Sequence, residues 1–532
     1  MACLRSGLKE RPGGERLSLR SGCRRADEGR AIKLLGIDVG TGGSRALLID
    51  ESGAVVASAV EEHVPFRSLK AGWAEQDPND WWRASQAAIA RLLRESGVAA
   101  SEIACIGLTG QMHGAVLLDK NDQVLRPALI WADQRTAEEC RYLNATVGPE
   151  RLVELTSNPA LTNFTLTKLL WVRAHEPEIW SRFHSFLLPK DYLRLCLTGV
   201  RATDVADASG TLLLDVVHRR WSYEMLEAVG LSPECLPALF ESPEIVSRVT
   251  EAAAQSTGLK AGTPVVAGAG DQAAGATGMG IVRPGDVSAT IGTSGVVFAA
   301  SDAPFTDPRG RLHTFCHAVP GRWHVMGVTQ AAGLSLRWFR DTFGLGTGAG
   351  AKERDPYDLL AEEAARVPAG AEGVLWAPYL MGERTPHLDP DARAALVGLA
   401  ANHGRGHVLR AILEGVTFSL KDTFSIFEEL HIPIREIRLG GGGARSALWR
   451  QIQADVYGQS VEIVAAEEGA AYGAALLAGV GAGLWPSVDG ACDAVVRVAS
   501  RTEPQPAAVA ALKESYRRYQ KLYPALRQVF TP

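Results

Sequence analysis

The stretch Ile32-Lys33-Leu34-Leu35-Gly36-Ile37-Asp38-Val39-Gly40-Thr41-Gly42-Gly43-Ser44-Arg45 decides the fold of this chain. An apolar strand ends in Asp38, a glycine-rich turn follows, and the apolar run 46–49 predicts a returning strand. This order differs from the dinucleotide-binding pattern, in which a helix follows the turn, and the sequence contains no P-loop motif. Amides and a hydroxyl at the tip of such a hairpin can form a nest for phosphate. The stretch predicts an α/β domain with a phosphate-binding hairpin, although Asp38 could instead cap a turn.

The second half of the chain repeats this pattern. Residues 286–298 predict a strand, a turn at Gly292-Thr293-Ser294-Gly295 and a returning strand. Further on, the short strand 436–439 leads into the glycine-rich run 440–444, which opens a helix over 447–457. Four consecutive glycines would let a flat base or a phosphate lie against bare backbone, but they are equally compatible with a flexible turn. The repeat predicts two similar halves that share a cleft.

One carboxylate, that of Asp271, lies among the small residues of Gly268–Gly275 and follows the apolar run 264–267. Burying an unpaired carboxylate costs free energy, so a role in folding is not an obvious reason for it. Small neighbours allow backbone and ligand to approach closely. We interpret the stretch as a strand that ends in an active-site loop, with Asp271 as a general base. A helix N-cap is the alternative.

Several other segments carry clear local signals. The predicted strand 103–108 runs into the polar sequence Gln111-Met112-His113, and Trp131 ends another predicted strand. An Asp-Pro start signal predicts a helix over 77–94, and apolar spacing predicts one over 407–431. Residues 469–478 predict a small-residue helix that packs closely on a neighbour. Residues 501–506 are predicted to be a linker into a C-terminal helix over 507–526.

Length and composition limit the class of protein. With 532 residues the chain is too long for one core, so two domains are expected. A net charge of −5 without a basic stripe favours neither a nucleic-acid nor a membrane partner, and the uncharged run 469–485 is short for a membrane span. The eight cysteines are scattered, which is typical of a reducing compartment, and we expect a cytoplasmic location. Residues 1–30 are rich in arginine and predicted to be a disordered extension.

Taken together, these segments resemble the FGGY family of sugar kinases. Residues 38–41 resemble its first phosphate hairpin, 289–295 its second, and 439–446 its adenosine loop. The resemblance is closest to the members that phosphorylate D-xylulose, and it spans about residues 32–530. It is also carried by the segments Gln111–Gly114, Leu187–Arg194, Val265–Gly275, Gly382–His387 and Leu396–Glu414. It implies an α/β fold of two actin-like (ribonuclease H-like) ATPase domains flanking a central cleft, with 31–282 binding the sugar and 283–532 the nucleotide.

The resemblance also implies an activity and roles for individual residues. The activity would be ATP-dependent phosphorylation of D-xylulose at O5, with Asp271 as the base and Asp38 holding Mg²⁺, and a homodimer is suggested. The expected sugar contacts are Met112, His113, Gln272 and Trp131, the last of which could equally be a core residue. The expected ATP contacts are Thr41, Gly292, Thr293, Ser294, Gly442, Gly443 and Ala444.

Two alternatives remain open at this point. Gln272 stands where the family pattern leads us to expect asparagine, which keeps a kinase of ribulose, arabinitol or glycerol in view. A protein of a different class would be a non-catalytic actin-like assembly protein that binds ATP. The sugar-side segments argue against it, and sugar-independent ATP hydrolysis linked to sedimentable polymer would identify it.

Overall fold

The computed structural model describes residues 32–344, 354–465 and 469–530. The expected disordered extension, 1–30, lies outside these ranges. The strands, numbered along the chain, are β1 Lys33–Val39, β2 Gly43–Asp50, β3 Val55–Glu62, β4 Glu75–Gln76, β5 Ile103–Gly110, β6 Val116–Leu118, β7 Ala128–Leu129, β8 Ser185–Leu187, β9 Ala202–Asp204, β10 Leu214–Asp215, β11 Arg220–Trp221, β12 Ala238–Phe240, β13 Ile245–Arg248, β14 Pro264–Val266, β15 Ala269–Gly270, β16 Asp286–Ile291, β17 Gly295–Ser301, β18 His313–Cys316, β19 Trp323–Thr329, β20 Leu375–Ala377, β21 Ala395–Val397, β22 Glu436–Gly441, β23 Val461–Val464 and β24 Val498–Thr502.

The helices are α1 Pro78–Ser96, α2 Ala137–Thr146, α3 Pro149–Thr156, α4 Thr165–His175, α5 Pro177–Trp180, α6 Pro189–Thr198, α7 Val205–Ala208, α8 Tyr223–Val229, α9 Glu251–Thr257, α10 Asp271–Gly278, α11 Gly333–Phe343, α12 Pro356–Ala365, α13 Arg405–Glu429, α14 Ala447–Tyr457, α15 Gly469–Gly481, α16 Val488–Val495, α17 Pro506–Tyr519 and α18 Leu522–Phe530. The helices predicted over 77–94, 407–431 and 447–457 are confirmed as α1, α13 and α14. In the described ranges, none of these helices is both long and apolar enough to cross a membrane.

The first large sheet gathers the predicted site residues of the first half at one edge. Its strand order is β13-β14-β5-β1-β2-β3, and β15 pairs with β5. Strands β1 and β2 are antiparallel, whereas β1 and β15 both run parallel to β5, with Val39 opposite Gly110 and Gly110 opposite Gly270. Because parallel strands end at the same edge of a sheet, Asp38, Gln111 and Asp271 lie at that edge.

The second large sheet repeats this topology, as the sequence predicted. Its order is β18-β19-β17-β16-β22-β23-β24. The hairpin β16–β17 is antiparallel, and β22 pairs parallel to β16 with Thr290 opposite Gly440 and Ile291 opposite Gly441. The tip of the hairpin therefore lies beside the glycine-rich run that follows β22.

Helix α15 confirms the predicted small-residue helix and lies against the first sheet. A Cβ on Gly107 of β5 would be 1.8 Å from the Ala474 carbonyl oxygen, and one on Gly473 would be 1.8 Å from the Ala274 carbonyl oxygen of α10. Backbones this close exclude any side chain at these two positions. Because α15 follows β23 in the chain yet completes the core of the first half, packing crosses the predicted limit between 31–282 and 283–532. Those limits remain a prediction.

The C-terminal region differs from its prediction. Residues 498–502 form the edge strand β24, paired with Val461–Val464, so the linker predicted at 501–506 is wrong in part. Four of the five strand residues are exposed, so no apolar alternation marked them as a strand. The predicted helix 507–526 is divided between α17 and α18.

Candidate active site

Asp271 is the first residue of helix α10 and follows strand β15 directly. The predicted active-site loop is therefore wrong, because the small residues after Asp271 form a helix that packs against α15. The N-cap position belongs to Gly270. Burial and the neighbouring charge of Asp38 raise the pKa of Asp271 to about 7. Gln272 Nε2 donates to Asp271 Oδ1 at 3.4 Å.

Asp38, near the end of β1, faces the same edge. Burial raises its pKa to about 6, although the charge of Arg45 opposes the shift. Its Oδ1 is buried and has no hydrogen-bond partner in the described part of the chain. Mg²⁺ binds oxygen ligands and commonly uses one or two carboxylates together with substrate phosphates. This unpaired oxygen beside a second carboxylate therefore fits a divalent cation.

Thr41, at the tip of the first hairpin, joins a network with other polar residues. Thr41 Oγ1 donates to Gln111 Oε1 at 3.2 Å, and Trp131 Nε1 donates to Thr41 Oγ1 at 2.9 Å. Gln76 Nε2 donates to the Thr41 carbonyl at 2.8 Å. The Trp131 residue is 42% exposed, so its alternative assignment to the core is wrong. The network fixes the hairpin tip beside a partly exposed indole ring.

Met112 and His113 follow strand β5, and Met112 lies next to β15, the strand that directly precedes Asp271. Both are almost fully buried. A Cβ on Gly270 would be 2.8 Å from Met112 Cγ, and one on Gly210 would be 2.7 Å from His113 Nδ1, so bare backbone covers both side chains. His113 has a left-handed backbone with φ of 67°, and Lys168 Nζ donates to its carbonyl at 3.0 Å. The fold thus places Met112 against Gly270, the residue before Asp271, and His113 against Gly210, which Met112 also approaches.

The hydrogen bonds of His113 define its tautomer. The Gly210 carbonyl lies 2.8 Å from Nδ1, and because a carbonyl oxygen only accepts, Nδ1 carries the proton. Burial, with the charges of Lys168 and Arg384 adding to it, lowers the pKa of His113 to about 3. The ring is neutral near pH 7, and Nε2 offers a lone pair. His113 can therefore accept a hydrogen bond from a hydroxyl group of a bound sugar.

We expect His113→Asn to raise KM for the sugar by about tenfold, the value of one net hydrogen bond of roughly 1–1.5 kcal/mol. Asparagine tolerates a positive φ and can still donate to the Gly210 carbonyl, but it has no acceptor at the Nε2 position. Steady-state kinetics with each substrate varied in turn would measure the change. KM for ATP should stay constant, and an unchanged sugar KM would contradict the assignment.

Two adjoining cavities border the glycine-rich run. One of about 380 Å³ is lined by Gly292, Thr293, Gly442 and Gly443, among others. The other, of about 620 Å³, is bordered by Asp271, Gln272, the run Gly440–Gly442 and Ala444. Gly442 and Arg445 border both. Ser294 lines neither cavity, and its carbonyl accepts the Gly292 N–H at 2.9 Å and closes the turn.

Arg337 is a candidate nucleotide contact that the sequence reasoning missed. Its Nη2 donates to Thr293 Oγ1 at 2.8 Å, and the residue lines the smaller cavity. Because arginine only donates, the Thr293 hydroxyl can still donate its own proton to a phosphate. Arg337 lies in α11, far along the chain from the hairpin, and no local pattern distinguishes it from a surface residue.

A buried ionic cluster beneath β15 was also missed. The fully buried Lys190 Nζ lies 2.7 Å from Asp191 Oδ1, 2.8 Å from Asp204 Oδ1 and 3.1 Å from Asp207 Oδ2. Burial opposes the charged form of Lys190, but the three carboxylates together raise its pKa. Asp207 Oδ1 would be 3.1 Å from a Cβ on Gly270, so the cluster directly supports the segment before Asp271.

Comparison with known proteins identifies relatives along almost the whole described chain. The sequence profile of the FGGY family of carbohydrate kinases matches with its N-terminal domain at residues 33–278 and its C-terminal domain at 287–482. A xylulose kinase of Bacillus subtilis (strain 168) is 39% identical over 490 residues, covering 92% of this chain and 96% of the relative. A xylulose kinase of Escherichia coli (strain K12) is 42% identical over 449 residues, covering 84% and 90%. A crystal structure described as a xyloylose kinase from Brucella ovis superposes with a TM-score of 0.86 at 38% identity, covering 93% and 100%.

Proposed function

Because this chain belongs to the FGGY family of carbohydrate kinases, we propose that it transfers the γ-phosphoryl group of ATP to O5 of D-xylulose. The products are D-xylulose 5-phosphate and ADP. The observation that carries the proposal is the position of Asp271, a carboxylate with a raised pKa that borders the cavity of the glycine-rich run and follows Gly270, the residue that Met112 approaches. The xylulose kinases of Bacillus subtilis and Escherichia coli support the choice of sugar.

Asp271 acts as the general base in this proposal. Phosphoryl transfer needs a positioned acceptor and stabilisation of charge, with little covalent work by the protein. The Asp271 carboxylate accepts the proton of the sugar hydroxyl as that oxygen attacks phosphorus. Gln272, which donates to Asp271 Oδ1, orients the carboxylate and contributes a further polar contact to the sugar. His113 and Met112 define one wall of the sugar pocket, and Trp131 covers an exposed face of it.

The nucleotide occupies the two adjoining cavities in this proposal. Gly442, Gly443 and Ala444 pass under the adenosine, and their lack of bulky side chains leaves room for a flat base. Thr41, Thr293 and Ser294 supply backbone amides and hydroxyls to the phosphates, and Gly292, whose N–H already donates to the Ser294 carbonyl, leaves space for them. Asp38, whose Oδ1 has no other described partner, would hold Mg²⁺. The cation supplies neutralisation of the phosphate charge when bound.

The pH dependence should report the state of Asp271. We expect kcat/KM for the sugar to fall as pH drops below about 7, since only the deprotonated carboxylate can act as base. A cation at Asp38 would lower this pKa, which places the acid limb at or below that value. His113, with a pKa of about 3, contributes no limb in this range. Because ionisation of a carboxyl group has almost no enthalpy, the limb should not move with temperature, whereas a histidine limb would.

The raised pKa of Asp271 also affects stability, which decreases with rising pH, whereas activity increases. The folded-state pKa of about 7 exceeds the unfolded value of about 3.9, so the folded state binds the proton more tightly. The contribution of Asp271 to stability is therefore full below pH about 4 and is lost as pH rises through about 7. Ionisation of the buried Asp271 carboxyl group at neutral pH and above therefore lowers the free energy of unfolding.

The test of the function is a coupled ADP-release assay with Mg-ATP. The panel is D-xylulose, L-xylulose, D- and L-ribulose, xylitol, D-arabinitol and glycerol. The proposal requires the highest kcat/KM with D-xylulose. A higher value for another member would keep the kinase and change its substrate, with Gln272 as the first position to replace. ATP hydrolysis that does not depend on sugar and is accompanied by sedimentable polymer would favour the assembly protein.

We also propose that the protein is a homodimer. Size-exclusion chromatography with light scattering would measure its mass.

A further inference from the structure

Arg438 lies where the two halves of the molecule meet. It is on β22, two residues before Gly440, and its side chain is only 14% exposed. Its Nη1 donates to the Met279 carbonyl at 2.7 Å. On the other side, Nη2 lies 3.0 Å from Glu436 Oε2 and Nε lies 3.5 Å from Glu462 Oε2. The carboxylates of Glu436 and Glu462 therefore orient this guanidinium toward the Met279 carbonyl of the first half.

The acceptor is the end of the helix that begins with Asp271. Met279 is the C-cap residue of α10, where carbonyl groups carry partial negative charge and lack intrahelical partners. A guanidinium at this point stabilises the helix end. Gly280, with φ of 71°, leaves the space for it, because a Cβ there would be 2.5 Å from Nη1.

The Met279 side chain lies on the same side as the glycine-rich run. A Cβ on Gly440, at the start of that run, would be 3.5 Å from both Sδ and Cε of Met279, and both residues border the larger cavity. Met279 therefore contacts β22 through its carbonyl at Arg438, and its thioether lies near Gly440. The C-terminal end of α10 is tied to the strand that leads into the glycine-rich run.

We propose that Arg438 is a positioning residue that sets the orientation of α10, and with it the Asp271 carboxylate, relative to the glycine-rich run 440–443. The inference rests on the proposed function. Helix α10 has eight residues and is about 12 Å long at a rise of roughly 1.5 Å per residue. Because the helix is a rigid rod packed on α15, a tilt at its Met279 end is transmitted to Asp271 at the other end. A misplacement of about 1 Å can lower a rate by about 10²-fold.

The test compares three variants in the intact enzyme. Arg438→Met removes the guanidinium at similar volume, and Arg438→Lys keeps the charge but cannot contact the Met279 carbonyl and both carboxylates in one plane. Arg501→Met is the control, because Arg501 is an exposed arginine on β24 of the same sheet that pairs with Glu503. We expect Arg438→Met to lower kcat by about ten- to hundredfold with both KM values within about threefold. The kcat of Arg438→Lys should lie between that of Arg438→Met and that of the wild type, and Arg501→Met should keep the wild-type kcat.

Hydrogen–deuterium exchange provides a readout that does not depend on turnover. Peptides covering 271–280 should exchange faster in Arg438→Met, while peptides of the first sheet exchange as they do in the wild type. The inference is overturned if both Arg438 variants keep kcat within about twofold, or if exchange over 271–280 is unchanged. If Arg438→Met does not fold, Arg438→Lys decides by the same two measurements. Failure of the proposed function has a different signature, since the wild type itself would then release no ADP with D-xylulose.

Discussion

Replacing Asp271 by asparagine is expected to lower kcat by about 10²–10⁴-fold, the range that a positioned general base contributes. The amide is nearly isosteric and can still contact Gln272, but it cannot accept the proton of the sugar hydroxyl. Because the glycine-rich run and the second hairpin bind the nucleotide in our proposal, the dissociation constant for ATP should stay within about threefold of the wild type. Steady-state kinetics together with calorimetric titration of a non-hydrolysable ATP analogue would measure both quantities.

Asp38→Asn is the matched control, because it removes the other carboxylate at the same sheet edge. This variant should require more Mg²⁺ for half-maximal activity and regain part of its activity as Mg²⁺ is raised. Asp271→Asn should not respond to Mg²⁺. If Asp271→Asn kept more than about a tenth of the wild-type kcat, a loss below about 1.4 kcal/mol, the assignment of the base would be wrong.

The second large effect is expected on stability, from Lys190→Met. Removing one partner of a buried ion pair costs about 3–5 kcal/mol, because the remaining charge stays buried without compensation. Here the loss of the Lys190 ammonium removes the shared partner of Asp191, Asp204 and Asp207. Asp191 keeps its ion pair with Arg194. The free energy of unfolding should decrease accordingly. Urea denaturation followed by tryptophan fluorescence, with thermal melting as a second probe, would measure the decrease.

Two further variants test the origin of this loss. Arg141→Met breaks an exposed pair with Glu138 and should change stability by less than about 1 kcal/mol. Adding Asp207→Asn to Lys190→Met should recover part of the loss, because it removes one of the facing carboxylates. A Lys190→Met variant as stable as Arg141→Met would contradict the proposed ionic role. A double variant less stable than Lys190→Met would contradict the electrostatic explanation.

Local patterns in the sequence predicted the parts of the site that lie on strand ends. Asp38 and Thr41 follow an apolar run and a glycine turn, and the same signal recurs at Gly292 and Thr293. Strand alternation and turn residues act over a few positions, so these hairpins can be recognised without knowing what packs on them. Asp271 was singled out as the proposed base because a lone carboxylate among small residues is unusual, even though the predicted loop is the start of a helix.

Other features depend on partners far away in the chain, and the sequence did not reveal them. Arg337 contacts a threonine in another hairpin, and Lys190 gathers carboxylates from α6, β9 and α7. Trp131 was ambiguous because a tryptophan at a strand end can be buried or exposed, and only packing decides which. Edge strand β24 showed no alternating pattern because its residues face solvent.

The sequence by itself determined the two hairpins, their repetition and the family, and it singled out the proposed base. Only the tertiary structure decided that α15 completes the first half of the molecule, that bare backbone of Gly210 and Gly270 covers His113 and Met112, and that Arg438 contacts the end of the helix that begins with Asp271. The physical reason is the range of the interactions. Backbone preferences and hydrophobic periodicity are set by near neighbours in the chain, whereas burial, charge pairing and close backbone contact are set by whatever the fold brings alongside.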